Sequence, residues 1–329
     1  ACSCSRGPGA CWQCDDSQGH GNITMVSWQA STSSLLHRFL VKPLTDRGIS
    51  AVKMRAGVAA LESLYTEYPA GFRYTHTHPL PHCDAEWIRQ CDVQTDRMLL
   101  HFPGGAYFMR MPRMERALVT SICRSANTQA RMVHYRLAPE HPFPAGHADC
   151  VGAYRQLLDL GVAPDRIVLS GISAGGGLVL GVLMALRDAG LPMPAGAVAL
   201  SPVADLVALT RRTGSSDFNA RRDAVIAVGS SENMCEMYVG ASPGARAHPY
   251  VSPALGDFTG LPPLYFQVGS TEILLAQSTR CVRKARAAGV DAEVEVWPEM
   301  PHGWQCMAYL PESGRAVERI ADFVRQCCP

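Results

Sequence analysis

The sequence predicts an α/β protein built on a mostly parallel sheet with helices on both faces. Three observations carry that expectation. From Phe102 onward, short apolar or β-branched runs alternate with longer stretches of helical periodicity. Asp165 to Leu180, DRIVLSGISAGGGLVL, reads as strand, sharp turn and helix with a serine at the apex. The length, 329 residues, suffices for one large α/β domain or such a domain with a smaller attachment.

In chain order, residues 1–24 are rich in Gly, Ser and Cys without periodicity and read as a disordered or tag-like leader, upstream of Met25. Apolar residues then recur at helical spacing in Ser31–Leu44 (Leu35, Leu36, Phe39, Leu40) and in Ala51–Tyr65 (Val58, Leu61, Leu64, Tyr65). These helices precede any strand, so residues 25–70 are expected to form a cap over a core spanning 71–329. Phe72–His78, Ala85–Gln90 and Arg97–Phe102 have strand composition and are broken by Pro79, Pro81 and Asp92, the pattern of an antiparallel meander. The alternation follows: a helix near Met114–Gln129, a strand at Arg131–Tyr135, a helix near Ala145–Leu160 and the serine-bearing strand and helix. Further strands are expected at Ala197–Leu200, Pro263–Val268 and Ala292–Trp297, with a helix to about Ala288 and a last one at Glu312–Gln326. Between about 203 and 251 the alternation lapses, which marks a second cap insertion. Its Arg211, Arg212, Arg221 and Arg222 read as a solvated face.

Composition narrows the function. A formal net charge of +1 gives no reason to expect nucleic acid or an anionic membrane surface. No uninterrupted apolar run reaches the roughly 20 residues a membrane helix needs, so stable membrane insertion is not expected. Thirteen cysteines, most of them scattered singly, fit reduced thiols used as small hydrophobes and a cytoplasmic location. Cys2, Cys4, Cys11 and Cys14 have zinc-like spacing, but their Gly-, Ser- and Pro-rich surroundings read as unstructured, so no metal is expected.

Gly171-Ile172-Ser173-Ala174-Gly175 is a G-x-S-x-G turn, in which small neighbours let the serine adopt a strained conformation above the sheet. The pattern alone is weak; its strand and helix context strengthens it. A serine hydroxyl needs a base, and in this kind of turn the acid and the histidine follow downstream. Only His248 and His302 qualify. His302 follows the strand ending at Trp297 and is preferred, whereas His248 lies in the insertion. Glu272, just past the strand ending at Val268, is the favoured acid, with Asp205 as its rival or as the start of a helix. Pro103-Gly104-Gly105-Ala106 follows the strand Leu99–Phe102, where backbone N–H groups of Gly104, Gly105 and Ala106 could join that of Ala174 in an oxyanion hole. Met234 and Tyr238 in the insertion, with Tyr107 and Ile172, are candidates for the substrate pocket.

With these residues in place, the chain resembles the bacterial hormone-sensitive-lipase-like carboxylesterases. The most specific match is Tyr135-Arg136-Leu137-Ala138-Pro139-Glu140-His141-Pro142-Phe143-Pro144-Ala145, joined by Ser201-Pro202, GSTEILL and His302-Gly303. The N-terminal part looks most similar to monoterpene lactone hydrolase-type esterases. The resemblance implies an α/β-hydrolase fold with an eight-stranded sheet and a helical cap. It also implies no cofactor and hydrolysis of a small hydrophobic ester, of short to medium acyl chain or a lactone, by Ser173, His302 and Glu272. Two departures stand out. The family's H-G-G-G reads Pro103-Gly104-Gly105-Ala106, without the bracing histidine, a role His101 could take over; and Ile172 stands where relatives carry Asp or Thr. They give some support to an alternative, a binding protein on an inactive hydrolase scaffold. The last strand would leave a sheet edge through which two subunits could pair.

Overall fold

The computed structural model describes residues 26–43, 51–62, 69–76, 78–240, 242 and 244–329. The expected leader, its four cysteines, and Leu44, Leu64 and Tyr65 lie outside the described residues.

Eight strands form one sheet: β1 Phe72–Thr75, β2 Asp84–Gln90, β3 Met98–Phe102, β4 Gln129–His134, β5 Ile167–Ile172, β6 Gly196–Leu200, β7 Leu264–Gly269 and β8 Ala292–Trp297. Their order is β1-β2-β4-β3-β5-β6-β7-β8. Only β1 with β2 and β2 with β4 run antiparallel. The expected meander of the first three strands is therefore wrong at its third member. The loop after Gln90 carries the chain past the β4 position, and β3 pairs in parallel with β4 and β5. All five residues of β3 are buried, as a strand covered on both faces requires.

Side-chain alternation along the central strands builds two cores. Leu100, Phe102, Leu169, Ala199 and Phe266 point to one face, and Leu99, Val168, Val198, Leu200 and Tyr265 point to the other. Helices α4 (Ala145–Asp159) and α5 (Ala174–Asp188) cover the first face. Helices α3 (Pro112–Ala126) and α10 (Pro311–Cys327) cover the second. At roughly 1.5–3 kcal/mol for each fully buried large apolar side chain, these layers dominate the stability.

Before the sheet come α1 (Trp28–Leu36), which continues as a π-helical turn to Val41, and α2 (Ala51–Glu62). Helix α1 leaves Trp28, Leu35 and Leu36 exposed, and the π-helical turn leaves Phe39 exposed. The 203–251 segment carries α6 (Leu206–Arg211), α7 (Ser215–Phe218) and α8 (Ser231–Val239), and α9 (Leu275–Ala287) follows β7. The four arginines expected on a solvated face are all exposed. Strand β8 forms one edge of the sheet. No helix of the described residues is long and apolar enough to cross a membrane.

Candidate active site

Ser173 stands between β5 and α5 with φ 57° and ψ −119°, a conformation an L side chain avoids. Its surroundings fix it there. Its N–H donates to the Leu200 carbonyl at 2.8 Å, and its own carbonyl accepts from Val203 and Gly177 at 3.0 and 3.1 Å. The flanking glycines have steric reasons. A Cβ on Gly175 would sit 1.9 Å from the Phe102 carbonyl oxygen, and one on Gly171 would sit 2.4 Å from that of Gly175.

The Ser173 hydroxyl lies 2.9 Å from Nε2 of His302, and Nδ1 of His302 lies 2.7 Å from Oε2 of Glu272. Glu272 is fully buried. Its other oxygen accepts from the Ser201 hydroxyl at 2.7 Å and the Gly269 N–H at 2.6 Å. A carboxylate held on both oxygens in this way fixes one imidazole tautomer, with Nδ1 donating to it and Nε2 facing the serine. Burial depresses the His302 pKa, but the hydrogen bond and charge of Glu272, with help from Asp223, outweigh it, so the imidazole titrates above its ordinary 6.5.

The two rivals are engaged elsewhere. His248 accepts from the Tyr250 N–H through Nδ1. Asp205 caps α6 by accepting from the Ala208 N–H and pairs with Arg280 at 2.9 Å. It starts a helix, the other role open to it from sequence.

The loop after β3 is tied at nearly every polar atom. Tyr135 donates its hydroxyl to the Pro103 carbonyl at 2.8 Å. The Gly105 carbonyl accepts from the N–H groups of Phe108 and Met109, and the Tyr107 carbonyl from that of Ala138. The Gly104 N–H donates to the Glu115 carboxyl at 2.9 and 3.0 Å, so this expected oxyanion donor is turned away. Left without a partner among the described residues are the N–H groups of Gly105 and Ala106, and that of Ala174 at the start of α5. Ala106 and Tyr107 have φ of 52° and 65°, strain on the order of 1–3 kcal/mol each that the surrounding ties must offset. His101 does not touch the loop. Its Nε2 meets Glu115 at 3.1 Å and its Nδ1 meets the Ser170 hydroxyl at 3.1 Å, so it braces the loop at second hand.

A cavity of about 300 Å³ opens beside Ser173 and His302. Helices α1 and α2 contribute His37, Met54 and Val58 to its wall, and the 203–251 segment contributes Ile226, Met234 and Met237. Of the expected pocket residues, Ile172 and Met234 line it; Tyr107 and Tyr238 do not. Their rings stack on each other 3.6 Å apart inside the core, because the positive φ of Tyr107 turns its side chain inward. A larger polar depression of about 810 Å³, among Arg73, Arg89 and Arg97, lies at the other ends of the strands and holds none of these residues.

Three residues beyond the sequence-derived candidates belong to this network: Glu115, Ser201 as a Glu272 partner, and Asp223. Asp223 is buried and accepts from the N–H groups of Val225, Ile226 and Ile273. Only Ser201 carried a signal, as part of the Ser201-Pro202 match.

A sheet of this order, lifting a serine on a strained turn toward a carboxylate-held imidazole, defines the class of α/β hydrolases. Residues 99–306 match the family described as alpha/beta hydrolase fold, and the chain belongs to that family. An acetyl-hydrolase of Streptomyces hygroscopicus is 42% identical over 246 residues, 74% of this chain and 80% of that protein. Among solved structures, an esterase from the bacterial hormone-sensitive lipase family superposes with a TM-score of 0.83 at 36% identity, covering 93% of this chain and all of that one (100%). The crystal structure of EstE5 soaked with p-nitrophenyl butyrate gives 0.84 at 36% identity, covering 92% of this chain and 99% of the other. Within the family, the chain is a carboxylic ester hydrolase of the bacterial hormone-sensitive-lipase-like group.

Proposed function

We propose that the chain hydrolyses short- to medium-chain acyl esters, and lactones of similar size, through an acyl-enzyme on Ser173. His302 takes the Ser173 proton as the hydroxyl attacks the ester carbonyl, then returns it to the departing alcohol. It next activates water, which releases the acid. Glu272 keeps the imidazole oriented and stabilises it while charged. The free N–H groups of Gly105, Ala106 and Ala174 receive the charge that develops on the carbonyl oxygen.

The observation that carries this reading is the unbroken contact chain from Ser173 through His302 to Glu272, at 2.9 and 2.7 Å. It favours turnover over the alternative of a binding protein on an inactive scaffold. The cavity volume stands at the low end of the 300–1,000 Å³ usual for small-molecule sites, and its methionine-rich wall suits an uncharged acyl chain. The acetyl-hydrolase relative and the butyrate-soaked esterase point to the same chain lengths. Helices α1 and α2 and the 203–251 segment act as the cap over that chain.

The test is hydrolysis of p-nitrophenyl esters from acetate to palmitate by the wild type and by Ser173→Ala. Turnover that peaks at short or medium chains and vanishes in the variant supports the proposal. Equal rates in the two proteins would overturn it.

A further inference from the structure

The strained loop that carries Gly105 and Ala106 is held at its start by core residues and at its far end by helix α2. Arg55 of α2 donates Nε to the Phe108 carbonyl at 2.6 Å and Nη2 to the Ala138 carbonyl at 2.7 Å. The same guanidinium grips Glu140 with two bonds of 2.7 Å. Seven residues on, which is two turns and the same helix face, Glu62 is buried and accepts from the N–H groups of Arg113 and Met114 at 2.6 and 3.0 Å. Those two residues begin α3, into which the loop runs.

Phe108 is tied into the loop on both sides: its N–H closes the turn on the Gly105 carbonyl, and its carbonyl takes the Arg55 bond. Arg55 thereby joins three stretches: the cap helix, the loop, and the Tyr135–Ala145 segment through Glu140. On the same helix, Met54 and Val58 line the cavity.

We propose that Arg55 is a positioning residue for the oxyanion hole: by locking the Phe108 carbonyl to Ala138 and Glu140, it makes the hole complete only while helix α2 is seated. This rests on Gly105, Ala106 and Ala174 being the oxyanion donors. Acyl chains that pack on Met54 and Val58 help to seat the helix, so substrate contact and completion of the hole reinforce each other.

The experiment measures kcat and KM for p-nitrophenyl butyrate, and inhibition by 1-butaneboronic acid, whose serine adduct imitates the tetrahedral intermediate. Losing an oxyanion donor outright costs about 10²- to 10³-fold in kcat; loosening the loop by Arg55→Ala is expected to cost about tenfold, with the boronic acid weakened in parallel and KM raised by less than kcat falls. Arg55→Lys, which keeps the charge but not the fork, falls between. Arg55→Ala/Glu140→Ala is no worse than Arg55→Ala alone, because the two residues act through one contact. Wild-type kcat and boronate affinity in Arg55→Ala would overturn the proposal, as would a loss of kcat without weaker boronate binding. If Arg55→Ala does not fold, a folded Arg55→Lys with wild-type boronate affinity overturns it equally. Boronate affinity that survives Ser173→Ala would mean that no adduct forms on Ser173, which sinks the proposed acyl-enzyme itself, a separate failure.

Discussion

Glu115 accepts the Gly104 N–H on both carboxylate oxygens, at 2.9 and 3.0 Å, and this contact removes Gly104 from the loop's free donors. It turns one peptide of the loop inward and leaves the next two N–H groups free. Pro103 itself has no N–H to offer, but the loop around it is held. Its carbonyl is held by Tyr135 and the following N–H by Glu115.

Glu115→Ala should therefore be among the costly substitutions. It leaves Nε2 of the buried His101 and the Gly104 N–H without partners, at about 1–3 kcal/mol each. Urea denaturation measures it; a loss below about 1 kcal/mol would mean the carboxyl is not a structural brace.

The acidic limb of activity follows His302. A general base must be neutral, and its raised pKa places the half-rise of kcat/KM above pH 6.5. Glu272→Gln removes the group that raises it most, so the limb moves to lower pH while kcat falls by several orders of magnitude, on the scale of about 10⁴ seen for such changes. A pH–rate profile in which the limb stays put would refute the coupling.

Gly175→Ala places a methyl 1.9 Å from the Phe102 carbonyl, backbone that cannot step aside. Overpacking of this kind costs about 1–3 kcal/mol or more, and here it also shifts β3, which leads into the loop. Thermal denaturation and ester turnover should both fall; a variant with wild-type melting would show the turn to be slacker than its geometry.

At low pH the Arg55 grip should loosen. Its hydrogen bond holds the Glu140 carboxyl down at about 2, against an ordinary 4.5. A depressed carboxylate stabilises the fold above its unfolded pKa, and that share is lost as pH falls from about 4.5 through about 2. Glu140 is half exposed, so the share is small. The melting temperatures of wild type and Glu140→Gln should converge as pH drops through that window; a gap that stays constant would contradict the pairing.

Met234→Trp should shorten the preferred acyl chain, because Met234 forms part of the cavity wall. Comparing acetate and octanoate esters reads it directly. An unchanged ratio would place the acyl chain elsewhere.

Most of the fold was legible because its signals are local. Alternating apolar runs placed all eight strands, and G-x-S-x-G demands small residues for reasons of contact distance alone. The pairing of β3 was not legible, because a short loop after Gln90 looks the same whether the next strand is a neighbour or lies one position beyond. At the site, Ser173, Glu272 and His302 could be named from their places after strands. Glu115, Asp223 and Arg55 could not. Glu115 and Arg55 act through backbone groups of other elements, and Asp223 joins its own turn to the distant Ile273 N–H, so no spacing in the sequence marks them. The misplacement of Tyr107 had a similar cause, since a positive φ reverses a side chain without any mark in the residue type.

The most direct test of the account is labelling with a fluorophosphonate, followed by intact mass and peptide mapping. The account predicts one adduct, on the peptide that holds Ser173, formed in step with loss of esterase activity and nearly abolished in His302→Ala. Activity that survives full labelling of Ser173, or activity lost through an adduct on another residue, would contradict it.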